Sequence, residues 1–228
     1  RMDIVVLGGI LAVSLIAAGI DMLIDFVKEK RRVRSRLDPE GNFLLPCDAE
    51  LVEQMAETIR KNFVSDIGTE LKNMTFEERK EKLEVIARQI AGDIGIEDIE
   101  IEFFNTQETG CKYQGSYCFA SNKLSINEDY LKITDDEILF DALDTVVHEL
   151  SHAYQYKKMS ELLERIYDAE DENDVTYSEE DKRTSVWILS QRNYIKYEVD
   201  PEGYRKQPLE WYAFAMANAT LRKLGGEE

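Results

Sequence analysis

The 228-residue chain has only two histidines, and they stand four positions apart in His148-Glu149-Leu150-Ser151-His152. On a helix, residues i and i+4 lie one above the other with Cβ atoms about 5–6 Å apart, so both imidazoles can reach one ion. Glu149 is turned by one residue from the first ligand. Its carboxylate stands beside the metal instead of pointing at it, where it can take a proton from a water that the ion acidifies. Residue types and spacing together point to metal-assisted hydrolysis. Two histidines that merely packed against an apolar face would each need a polar partner once buried.

An open catalytic zinc site takes three protein ligands and leaves a fourth position for water or substrate. The third ligand here cannot be histidine, and the longer pattern with a third histidine fails. Gln155 stands where that pattern needs glycine, and Lys158 where it needs histidine. A carboxylate must complete a His-His-Glu set. The best candidate is Glu210, one turn inside a helix dominated by Leu209, Trp211, Phe214, Ala215 and Ala217. A lone acid on such an apolar element is costly to bury, and a bound cation removes that cost. The competing reason for an acid at this place is the helix dipole alone. Other carboxylates in reach are Glu161 and Glu164, on a continuation of the motif helix, and Glu202, in a loop. With no histidine left to stabilise an oxyanion, a tyrosine must do so, and Tyr204 just upstream of Glu210 is the first choice among eleven. Cys47, in the segment Leu44 to Asp48, offers a thiolate by which the N-terminal part of the chain can close the metal in a latent form.

The elements that must position these groups follow from periodicity. Thr134 and Glu137 match a capping box, and Ile138, Leu139, Ala142, Leu143, Val146 and Val147 carry one apolar stripe into the histidines, so the motif lies on a helix. Upstream, Asp48 can cap a helix to about Phe63, and Thr75 with Glu78 forms a second capping box before a helix with Leu83, Ile86 and Ile90 on one face. From Asp98 the period changes to two, with Ile99, Ile101 and Phe103 against Glu100 and Glu102. Further short strands are expected at 116–119 and 123–126. Residues 183–197 and a segment from Pro208 to just before Gly225 are expected as helices. This is an α+β fold, a small antiparallel or mixed sheet packed on the motif helix with further helices around it.

The order of a small sheet over 115–127, then 146–155 with its H-E-x-x-H core, then 204–213 with a P-x-E-x-x-A pattern, resembles the minigluzincin group of zinc peptidases. The resemblance covers roughly residues 95–225. It implies a zincin-like fold, Zn2+ as cofactor, peptide or protein as substrate, endopeptidase more than exopeptidase activity, and Glu210 as the third ligand. It also implies that Lys123 to Asn127, or its partner strand, is the edge along which an extended peptide pairs. One departure stands out. Gluzincins often carry, four residues after the ligand glutamate, an aspartate that orients a histidine, and here that position is Phe214. The alternative function is a catalytically inactive or latent metal-binding regulatory module, tethered to a membrane. Glu149 speaks for turnover, because a purely structural site needs no base.

The formal net charge of −18 argues against a phosphate-binding surface and with it against nucleic acid as a partner. Cys47, Cys111 and Cys118 form no disulfide framework and fit a reducing compartment. The acidic run Asp168 to Asp174 reads as a solvated loop, without the spacing of a calcium-binding loop. Residues 4–20 are uncharged and apolar, just long enough to span a bilayer, and six Lys or Arg follow between Lys28 and Arg36. The expectation is two parts: residues 1–45 as a hydrophobic helix, with membrane association through 4–27, and a basic linker, and residues 46–228 as the peptidase domain. By the positive-inside rule the catalytic domain faces the cytoplasm. The alternative is a soluble cytoplasmic protein that packs this helix internally.

Overall fold

A computed structural model describes residues 44–110, 113–133, 136–169 and 176–225. The apolar stretch 4–20, its basic cluster, Cys111, Thr134 of the expected capping box and residues 170–174 of the acidic run lie outside the described residues. Among the described residues no helix is long and apolar enough to cross a membrane.

Helix α1 spans Pro46–Lys61 with Leu45 at its N-cap. Asp48, expected as the cap, sits three positions inside instead, because Pro46 has no N–H and its fixed φ makes it the first helical residue. The Asp48 carboxylate accepts from the Leu45 N–H at 2.6 Å. Helix α2, Ile67–Asn73, is capped by Asp66, which accepts from the Thr69 N–H. Helix α3, Phe76–Asp93, begins at the expected Thr75–Glu78 capping box and buries Leu83, Ile86 and Ile90.

Three short strands follow: β1, Glu100–Phe104, β2, Gly115–Cys118, and β3, Lys123–Asn127. A one-turn helix α4, Thr106–Thr109, separates the first two. The sheet order is β1-β3-β2, with β1 parallel and β2 antiparallel to β3. Asn122 reverses the chain between β2 and β3 in the left-handed region, φ 48°, a conformation asparagine tolerates better than most residues. This order corrects one expectation. Strand β3 is central and both its edges are taken, so it cannot be the strand that pairs with a substrate. Its partner β2 has one ladder neighbour among the described residues.

Helix α5, Asp136–Asp168, carries the motif. Beyond it lie α6, Glu179–Arg192, α7, Pro201–Lys206, and α8, Pro208–Gly225. The chain divides into two compact units, one of Leu44–Tyr154 with Glu210–Glu228, the other including Gln155–Leu209. The first has a core of Met55, Ile59, Leu83, Ile86, Leu124, Ile126, Leu143, Val147, Ala213 and Met216, all essentially without exposure. The second buries Met159, Leu162 and Trp187, and Gln155 Nε2 donates to the Leu209 carbonyl at 3.0 Å. Helix α6 starts at Ser178, whose hydroxyl accepts from the Asp181 N–H, several residues before the expected 183. Residues 193–200 do not continue it. The expected loop around Glu202 and Tyr204 is the short helix α7, begun by Pro201 and capped by Asp200. The architecture is helix-rich α+β with one small mixed sheet.

Candidate metal centre

The apolar stripe that predicts the motif helix also seats it: Val146, Val147, Leu150 and Ala153 are fully buried. That leaves the i, i+4 pair His148 and His152 on the remaining face. Helix α8 brings Glu210 against them, since Leu209, Ala213, Met216 and Ala217 bury the rest of its inner surface. His148 Nε2 and His152 Nε2 are 3.2 Å apart. Glu210 Oε2 lies 3.3 Å from the first and Oε1 3.5 Å from the second.

These separations test whether a metal fits. Four ligands set tetrahedrally at about 2.0–2.1 Å from zinc are about 3.3–3.4 Å from one another. The separation of the two nitrogens is close to that edge, and the Glu210 carboxylate sets one oxygen at a similar distance from each of them, so the three side chains fit around one ion. Glu210 is 1% and His148 7% exposed, so a carboxylate and an imidazole share a site that water scarcely reaches. The two Nε2 atoms face each other next to a carboxylate, and a cation between them would be bound by all three side chains. Among the described residues this is the one group of three or more His, Cys, Asp or Glu whose donor atoms lie within 4.8 Å of one another.

The other candidates are placed elsewhere. Glu161 is exposed and pairs with Lys158 at 3.3 Å. Glu164 is exposed, and Glu202 pairs with Lys206 on the surface of α7. Tyr204 belongs to the unit of Gln155–Leu209, where its ring meets Tyr194 and Tyr197 edge-on. Cys47 is exposed in the first turn of α1 and is not one of the grouped donors.

Two supports of the site escape sequence reading. Asp48 is fully buried, and its second oxygen accepts from the Tyr212 hydroxyl at 3.0 Å, tying the start of α1 to the helix that carries Glu210. The second is Gly115. A Cβ there would lie 2.6 Å from Thr145 Cγ2, 3.2 Å from the Ser125 carbonyl and 3.3 Å from Glu149 Cγ. Strand β2 therefore runs directly against the half-buried Glu149, and only glycine allows that approach; a glycine opening a strand is the available signal. Gly115→Ala is expected to destabilise by about 1–3 kcal/mol through overpacking. Adding Thr145→Ser should recover most of the loss, since serine lacks the clashing methyl but keeps the hydroxyl bond to the Asp141 carbonyl. Denaturant unfolding of the single and double variants checks this, and a double variant no better than Gly115→Ala rejects it.

One turn before His148, burial pushes the Asp144 carboxyl above its usual range, with the His148 imidazole opposing and Asp141 adding to the shift. Burial also raises Asp141. An acid whose folded form holds its proton more tightly destabilises the fold once the unfolded form ionises. The cost is absent below the ordinary aspartate range and grows as pH rises above it. Asp144→Asn should therefore raise the Tm of the zinc-free protein by a few degrees at neutral pH, with the gain fading near pH 3.5. An equal gain at both pH values means that charge is not the cause. Comparison with known protein families, with curated proteins and with solved structures gives no match.

Proposed function

We propose that the chain is a zinc-dependent metallopeptidase of the gluzincin type, similar to the minigluzincins, whose α+β domain is zincin-like. The observation that carries this reading is the convergence of His148 Nε2, His152 Nε2 and the Glu210 carboxylate, which sets one oxygen 3.3 Å from the first and the other 3.5 Å from the second. Zinc held by these three residues would polarise a scissile carbonyl and acidify a water in the open position. Glu149 is the general base that takes the proton from the attacking water, and then the acid that delivers it to the leaving amine. The extended peptide lies along β2, which has one ladder neighbour among the described residues and begins at Gly115 beside Glu149, so main-chain pairing sets the scissile bond next to the base. A strand edge that engages the middle of a chain favours endopeptidase action.

Purified protein is expected to carry about one zinc per chain and to cleave members of a diverse peptide library. Elemental analysis that finds no zinc after zinc-supplemented dialysis overturns the proposal. Zinc without cleavage of any library member favours the metal-binding regulatory module instead.

A further inference from the structure

One turn after Glu210, Phe214 lays its ring against the His148 imidazole, with centroids 4.4 Å apart and planes inclined by 57°. The Nε2 of His148 is directed at the other two donors. Its Nδ1 is buried and has no hydrogen-bond partner among the described residues. A histidine that ligates a metal ordinarily donates its second ring N–H to a carboxylate, carbonyl or water, which fixes the ring plane and makes the ligating nitrogen a better donor. At this site the neighbour that fixes the plane is an apolar ring. Phe214 is not simply filling a core, because it remains 38% exposed: one side covers the imidazole while the rest reaches solvent. Asp144, one turn before His148 on the same helix, is the nearest carboxyl on that stripe, and it makes no hydrogen bond to Nδ1.

Resting on the reading of His148, His152 and Glu210 as metal ligands, we propose that Phe214 is a positioning residue that tunes metal affinity downward. It holds the imidazole by packing while withholding an acceptor from Nδ1. The consequence is an ion retained by geometry but more weakly than a carboxylate-backed histidine would retain it. Such a site responds to the zinc level of its surroundings, filling and emptying over a range in which a fully supported site stays loaded.

The test is zinc affinity by chelator competition on the full chain and on four variants, with circular dichroism to confirm folding. Phe214→Asp and Phe214→Glu each put a carboxylate beside the His148 ring; if it accepts from Nδ1, zinc should bind about 10-fold more tightly or better, the scale on which an outer partner acts. Phe214→Leu keeps an apolar group but loses the flat ring, and should bind several-fold more weakly. Asp144→Asn should stay within about twofold, below the scale of a lost outer partner. Because the chain has two histidines, the ring N–H signals of the zinc-loaded protein are few enough to assign by NMR. The His148 signal should sit at the position of a proton without an acceptor in the wild type and move downfield in Phe214→Asp or Phe214→Glu. If the wild type binds zinc and neither acidic variant binds it more tightly, the proposal falls while the metal site stands. If Asp144→Asn loses 10-fold or more, the loaded imidazole already has a carboxylate partner and the proposal falls. A wild type that binds no zinc removes both readings together.

Discussion

Glutamine in place of Glu149 is expected to leave zinc bound and to lower kcat/KM for a cleaved peptide by about 10²–10⁴-fold, the usual contribution of a positioned general base. The expectation rests on position. Glu149 follows His148 by one residue, is not among the three grouped donors, and has its Cγ against the start of β2. Glutamine keeps the shape and the packing against Gly115 but cannot accept and return a proton. The loss should therefore fall on kcat, with KM nearly unchanged. Activity and bound zinc are measured on the same preparation. Loss of zinc with activity would make Glu149 a ligand, and unchanged activity would remove it from the chemistry altogether.

Glu210→Ala should weaken zinc binding by more than the roughly 10–100-fold that loss of an outer partner costs, while the chain stays folded. Glu210 is essentially buried, with one oxygen toward each histidine, and among the described residues no other carboxylate belongs to the group. Glu164→Ala and Glu202→Ala serve as controls, since both residues are exposed, and their affinities should match the wild type. Chelator competition ranks the three. If Glu210→Ala binds like the wild type, the third ligand is misassigned and the gluzincin reading loses its main support. A control that loses affinity in its place identifies the true ligand.

What the sequence reveals about this site divides along a physical line. The histidine pair, the motif helix and the strands near 100, 116 and 123 are legible because burial on one side writes a period of 3.6 or 2 into neighbouring residues. Glu210 is legible for a related reason, as a single acid in an otherwise apolar stripe that must face something able to bind it. The supports are not legible in this way. The approach of β2 to Glu149 depends on Gly115 meeting Thr145, and the ring on His148 is Phe214, reached across a turn from Glu210. Neither contact repeats along the chain, so neither leaves a period. The sheet order is hidden for the same reason: the alternation in β3 marks buried Leu124 and Ile126 but is silent on which strands flank it. The short helices α2 and α7 lack the length for a stripe and are set by their caps, Asp66 and Asp200, with Pro201 opening the second.

The outer position of β2, with one ladder neighbour among the described residues, has a further consequence, for the behaviour of the protein in concentrated solution. A strand at the margin of a sheet can template an extended chain, including a partly opened copy of the same protein. Two features restrain it. The strand has only four residues, too few for a stable intermolecular ladder on its own, and the net charge of −18 keeps copies apart at neutral pH. The second restraint vanishes near the isoelectric point, about 4.6. Colloidal stability is thus coupled to acidity, and mild acid is the condition under which self-association through this strand is expected.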